Sequence, residues 1–213
     1  MIAAFTRLDL SSWLPRPQTL LTLLFVVVVG VLLPVPGMAI VAAALVTSLM
    51  VSAPFLGDER GHLDILYGVL PVSRGTIVVG RALSVFSYYL VASVIATATT
   101  IATEVAREGA ISAEPLIIAH AVAFAFVGVS VAFQLPVLFR IGYSRGRLMA
   151  YAPAFLIAGL AWLVQAVGAT ASIQRSLEGI SVTTVGVAGV LIGIVGIILA
   201  VALSTRFYRS REL

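Results

Sequence analysis

The sequence predicts an all-α integral membrane protein with six transmembrane helices, a short N-terminal interfacial helix and a cytoplasmic coupling helix after the second span. Three observations lead there. Hydrophobic residues fill 61% of the 213 positions and charged residues 10%, against about 25% charged in a soluble domain, so a water-facing surface cannot be covered. The apolar residues fall into runs of roughly 16–28, bracketing the length that crosses a bilayer as helix. The runs do not alternate in polarity as barrel strands do, and lipid leaves helices as the remaining way to satisfy the backbone.

The whole chain, 1–213, reads as one transmembrane domain. Ahead of the first span, Ile2, Phe5 and Leu8 share a helical face, with Arg7 and Asp9 off it, and Trp13 follows before Pro15 and Pro17. This is the pattern of a short helix lying in the interface with its tryptophan at headgroup depth. Spans follow near 18–35, 37–56, 76–103, 116–139, 149–168 and 182–203, with the turn Pro34-Val-Pro-Gly37 closing the first pair into a hairpin. A cleavable signal is the competing reading of the first span, because Pro36-Gly-Met-Ala39 loosely resembles a cleavage site. The apolar core is long for a signal.

Orientation follows from the basic residues, all of which are arginine. Eleven of the thirteen lie on one side: Arg7, Arg16, Arg60, Arg74, Arg81, Arg140, Arg145, Arg147, Arg206, Arg209 and Arg211. Arg107 and Arg175 lie on the other, among Glu104, Glu108, Glu114 and Glu178. Positive flanks stay in the cytoplasm, which places both termini there and works only for an even number of spans. The same distribution accounts for the net charge of +4 without a nucleic-acid partner. The setting expected is a bacterial inner membrane, crossed several times.

Absences narrow the chemistry. There is no cysteine, so disulfides, thiolate nucleophiles and cysteine metal sites are excluded. Two histidines, His62 and His120, are too few for an imidazole zinc site. A nucleotide-binding P-loop needs a lysine, and the chain has none. Gly128-Val-Ser-Val-Ala132 lacks the closing glycine of a nucleophile elbow. The chain is therefore read as a non-enzyme, with no cofactor or metal of its own.

Within the spans, Arg81 lies about one turn inside the third, where a long side chain snorkels to water or pairs with Asp64 or Glu59. Ser84, Ser87, Tyr88, Thr97, Thr99 and Thr100 make that span the most polar, and hydrogen bonds to its own or a neighbouring helix are their ordinary use. Gln134 precedes Pro136 in the fourth span, the mark of a local kink whose freed carbonyl the glutamine or a neighbour satisfies. His120 reads as interfacial. Gly186, Gly189, Gly193 and Gly196 lay a smooth helix-packing stripe along the sixth span, fit for close approach by another helix of this chain or of a second copy.

The first cytoplasmic loop, 57–75, carries the most information. Leu63, Leu66, Tyr67 and Leu70 stand at i, i+3, i+4 and i+7, an amphipathic stripe that Asp58 caps, Glu59 complements electrostatically and Pro71 ends. Its apolar face needs headgroups or a groove on a partner. The order Asp58-Glu59-Arg60, a short helix, Leu70-Pro71-Val72-Ser73-Arg74, then Ile77-Val78-Val79-Gly80-Arg81 resembles the type-2 ABC permease family. More narrowly, it is similar to the small six-span permeases related to phenol-soluble modulin and bacteriocin exporters, and Leu8-Asp9-Leu10 matches an N-terminal element of that group. The sharp likeness covers positions 58–83; the family's usual lysines are arginine here.

The resemblance implies a permease subunit of an ATP-driven exporter that works as a dimer, with a second copy or a sister permease. A separate ABC ATPase with a P-loop would bind ATP and magnesium. Asp58, Glu59, Arg60 and Arg74 would make polar contacts with it, Leu63, Tyr67 and Leu70 would fill its cleft, and Pro71 would stiffen the connection to the third span. Two other readings remain at this point: a non-transporting immunity or sensory membrane protein, and the substrate-capture subunit of a vitamin importer. The substrate is not legible.

Overall fold

The computed structural model describes residues 1–33, 35–61, 63, 72–107, 109, 112–170, 172 and 179–209, and among them helices and turns are the only structure. Helix α1 (Ile2–Trp13) meets α2 (Pro17–Leu32) at 83°, and Pro17, whose ring suits a first turn, starts the second helix. Gly37 precedes α3 (Met38–Met50) with φ 83°, a backbone state that favours glycine. After a two-residue turn, α4 (Ala53–Gly61) prolongs α3, so that 38–61 form one helical stretch of 24 residues. Helix α5 (Arg74–Ala106) opens on Ser73, whose Oγ accepts the Thr76 backbone N–H at 3.1 Å.

Helix α6 (Ala113–Gly146) is interrupted at Gly142, with φ 77°, and runs through a 3-10 turn (Arg147–Ala150) into α7 (Ala152–Ala166). Helix α8 (Val182–Arg209) closes the described fold.

The chain is a multi-pass membrane protein. Four helical stretches among the described residues are long and apolar enough to cross a bilayer: Met38–Gly61, Arg74–Ala106, Ala113–Ala166 and Val182–Arg209. The bent pair α1–α2 makes a fifth if it counts as one span. Six were expected. The difference arises at two places: α2 by itself has 16 residues, and α6 and α7 fall within one stretch of 54. At 1.5 Å per residue, the 33 residues of α5 span about 50 Å, so its ends reach beyond a hydrocarbon layer of about 30 Å.

Helix α3 sits at the centre, packed by α2, α5 and α6, with Ile40, Ala43 and Ala44 buried. Helix α8 lies along α6. A Cβ at Gly189 would stand 2.5 Å from the Ala121 carbonyl oxygen, and one at Gly196 would stand 2.5 Å from that of Gly128. These backbones touch. Helix α7 makes its closest contacts with the 3-10 turn and leaves Phe155, Leu156 and Trp162 exposed.

The N-terminal helix buries Phe5, Asp9 and Trp13, spaced i, i+4 and i+8, against the rest of the protein, whereas Ile2 and Leu8 are exposed. Trp13 is buried at 1% exposure against Tyr88, with ring centres 5.5 Å apart. A burial asymmetry placed Asp9 on the apolar side because it has a partner there.

Candidate functional site

The arginine-rich ends of the helices meet, and side chains on different elements tie them together. Arg81, two turns into α5, is wholly buried. Its Nη2 donates to Asp58 Oδ2 of α4 at 2.8 Å and lies 3.3 Å from Asp9 Oδ1 of α1. Its guanidinium carbon stands 4.8 Å from the centre of the Phe55 ring, close enough for a cation–π contact. Ser84, one turn along α5, donates to Asp9. One guanidinium therefore joins α1, α4 at the root of the 57–75 loop, and α5.

Burial of that kind demands compensation, because a charge leaves water only when paired and hydrogen-bonded. Burial pushes the Asp9 carboxyl above its ordinary value, while Arg81 and Ser84 pull the other way. The expected partners of Arg81 were Asp64 or Glu59, or open water. Water is excluded, Asp64 lies outside the described residues, and Glu59 is used elsewhere. Asp58, expected to cap a new helix, lies inside α4 and turns inward to Arg81 instead.

Glu59 reaches the end of α6. Its Oε1 accepts the Ser144 backbone N–H at 2.9 Å and its Oε2 accepts the Ser144 hydroxyl at 2.5 Å. Gly142 makes room for this: besides its positive φ, a Cβ there would stand 2.9 Å from Glu59 Oε1. Arg74 holds the end of the last helix, its Nη1 donating to the carbonyls of Tyr208 at 3.0 Å and Arg209 at 2.9 Å. A cation near a helix C-terminus is favourable as well as hydrogen-bonded. Arg60 is exposed, and Leu63 is half-buried against the core. Tyr67, Leu70 and Pro71 lie outside the described residues.

At the opposite end Arg107 donates to the Val31 carbonyl at 2.8 Å, joining α5 to α2. His120 stands between α5 and α6 within reach of Ser93 and Thr97. The hydroxyls of Ser87, Thr97, Thr99 and Thr100 each donate to the carbonyl four residues back on α5, and Tyr88 bonds Thr22 of α2 at 2.6 Å. Gln134 donates to Ser48 of α3 at 2.9 Å, which answers the kink expected at Pro136: the amide is spent between spans, and the backbone departs from helix at Gly142. Among the described residues no three acidic or histidine side chains converge as a metal site requires.

Sequence reasoning missed Asp9 as a site residue. The signal was present in the spacing of Phe5, Asp9 and Trp13, which puts a carboxylate in the middle of an apolar stripe. The arrangement offers no nucleophile with a base beside it and no cradle for phosphate. What it offers is mechanical: a loop root fastened to three other parts of the chain.

A family model described as ABC-2 family transporter protein matches residues 13–209. No curated protein and no solved structure gives a match.

Proposed function

The chain belongs to the ABC-2 family of transporter proteins, and from that premise we propose that it is the membrane permease subunit of an ATP-driven exporter. A separate ATPase chain binds ATP and magnesium and grips the loop 57–75. A second copy, or a sister permease, completes the pathway. The protein sits in a bacterial inner membrane with six spans and both termini in the cytoplasm. Two features support that count: a 54-residue helical stretch would measure about 80 Å, far more than one crossing, and Gly142 breaks it close to where Arg140, Arg145 and Arg147 gather.

The observation that carries the reading is the buried Arg81 junction. A loop that merely linked two spans would not need Asp58 at its root bonded to a buried Arg81 that also meets Asp9, nor Glu59 bonded to Ser144. A handle does. Force on the loop then passes through short hydrogen bonds into α1, α5 and the end of α6, the stiff connection a rigid-body switch requires. Exposed Arg60 and the predicted stripe of Leu63, Tyr67 and Leu70 are the gripping surface, while Asp58, Glu59 and Arg74 act from behind as anchors.

The test is co-purification of the full chain with an ABC ATPase that carries a P-loop and is expressed with it, followed by that ATPase's ATP hydrolysis in bilayers. The double variant Arg60→Glu, Leu70→Asp is expected to insert normally and to lose at least tenfold in ATPase capture. Unchanged capture and unchanged stimulation of ATP hydrolysis would overturn the assignment.

A further inference from the structure

His120 of α6 is half-buried between two hydroxyls of α5, its Nδ1 3.3 Å from Ser93 Oγ and its Nε2 2.9 Å from Thr97 Oγ1. The hydrogens here can be assigned from the bonds around them. Thr97 gives its single hydroxyl hydrogen to the Ser93 carbonyl at 2.8 Å, so towards the ring its oxygen can only accept. Nε2 therefore carries a hydrogen. In the uncharged ring Nδ1 is then a bare lone pair, and Ser93 donates to it. One neutral tautomer satisfies both contacts.

Adding a proton changes one side of this arrangement. Nδ1–H would face Ser93 Oγ, so the serine hydroxyl must turn from donor to acceptor and give its own hydrogen to a carbonyl of the preceding turn of α5. A positive charge also appears between two helices. On α5 the ionisable groups are Tyr89, whose hydroxyl also hydrogen-bonds Ser93, then Tyr88 and Arg81 further back, and Glu104 and Arg107 beyond Thr97; on α6 they are Glu114 and, far along, Arg140. The neighbouring α2 and α3 contribute none, and α8 none before Arg206. Among the described residues of α5 and α6 the carboxylates nearest in sequence, Glu104 and Glu114, stand about two turns away. A charge without a counter-ion inside a membrane draws water, and the near source is the end marked by Arg107. Thr100 and Glu104 continue the Thr97 face towards it at i+3 and i+7.

We propose that His120, with Ser93 and Thr97 as positioning residues, is a proton-binding site that ties α5 to α6 when empty and loosens their Arg107-bearing ends when occupied. The step is the uptake of one proton from water by Nδ1, with no other bond made or broken. It stands apart from the exporter reading, since no ATPase enters it.

The test uses the full chain in phosphatidylcholine–phosphatidylglycerol vesicles. In the variant His62→Gln, His120 is the single histidine, and the ring nitrogen resonances of 15N-labelled protein report its tautomer directly. The Nε2–H form is expected at pH 8, giving way to imidazolium on acidification. Because the chain lacks cysteine, Val105→Cys and Ala113→Cys accept spin labels at the Arg107-bearing ends of α5 and α6. Their separation is expected to lengthen with acidification in step with the ring signal, and to stay short at every pH in H120Q. An Nδ1–H tautomer, a separation that ignores pH, or a pH response that survives in H120Q would each overturn the proposal. Should H120Q not insert, Thr97→Val removes the acceptor of Nε2–H and is expected to mix the two tautomers. A spectrum unmoved by T97V would equally overturn it.

Discussion

Two helix contacts in this molecule hold equally close and by opposite means. Along the α6–α8 seam, Gly128, Gly189, Gly193 and Gly196 let backbone meet backbone with no polar side chain involved. At the Arg81 junction, α1, α4 and α5 are joined by charges buried out of water. In lipid, apolar surface gains little by touching apolar surface, so close packing and hydrogen bonds are what remain to bind helices. The glycine seam uses the first and holds over a long line; the junction uses the second and holds at one point. A seam of small residues resists sliding weakly. A charge contact shared by three elements fixes register, and it sits at the arginine-rich end of the helices.

That contrast can be broken at either contact. The largest effect is expected for Arg81→Met, which leaves Asp9 and Asp58 buried beside an apolar chain. Losing one partner of such a group costs about 3–5 kcal/mol, read by thermal unfolding in micelles through Trp13 fluorescence. The triple variant Asp9→Asn, Asp58→Asn, Arg81→Met removes all three charges and is expected to recover most of that loss. A triple variant as unstable as the single one would show that shape, rather than charge, holds the junction.

Next is the seam. Gly196→Ala places a methyl 2.5 Å from the Gly128 carbonyl oxygen, so the helices must part, and overpacking of this kind costs about 1–3 kcal/mol. Unchanged unfolding would mean that α8 is not held against α6 in the bilayer.

A finer comparison separates the two aspartates. Asp58 makes the shorter contact to Arg81, 2.8 Å against 3.3 Å for Asp9, and burial raises the Asp9 carboxyl above its ordinary value despite Arg81. D58N is therefore expected to destabilise more than D9N. Since the folded Asp9 binds its proton more tightly than the unfolded one, its contribution falls as pH rises from 3.8 towards the raised value and is level above it. D9N is expected to flatten that limb of the stability profile. The smallest effect belongs to exposed Arg60, whose replacement by glutamate is expected to shift stability by less than about 0.5 kcal/mol while altering what the loop binds.

Much of this was legible in the residues. Length and polarity of the apolar runs gave an all-helical membrane protein, arginine placement divided its two ends, and the loop around Asp58-Glu59-Arg60 led to the right family. Contacts between distant segments were not legible. Nothing in sequence pairs Asp9 with Arg81 across 72 positions, because pairing is set by how α1 folds back at 83°. The reading of Asp58 as a cap failed for a related reason: α4 continues α3 past Pro54, a proline tolerated in a first turn, so the helix expected to begin at 58 had already begun. The span count differs for another reason: hydropathy separates the apolar runs, but it does not show that α2 is only 16 residues long or that α6 and α7 run on as one stretch.

Arg74 has a practical corollary. Its grip on the last two carbonyls of α8 couples the exit of the first loop to the tail of the polypeptide. A fluorophore placed at Arg209 would sit beside that clasp and report whether it is closed, whereas a bulky group at the same place risks prying it open.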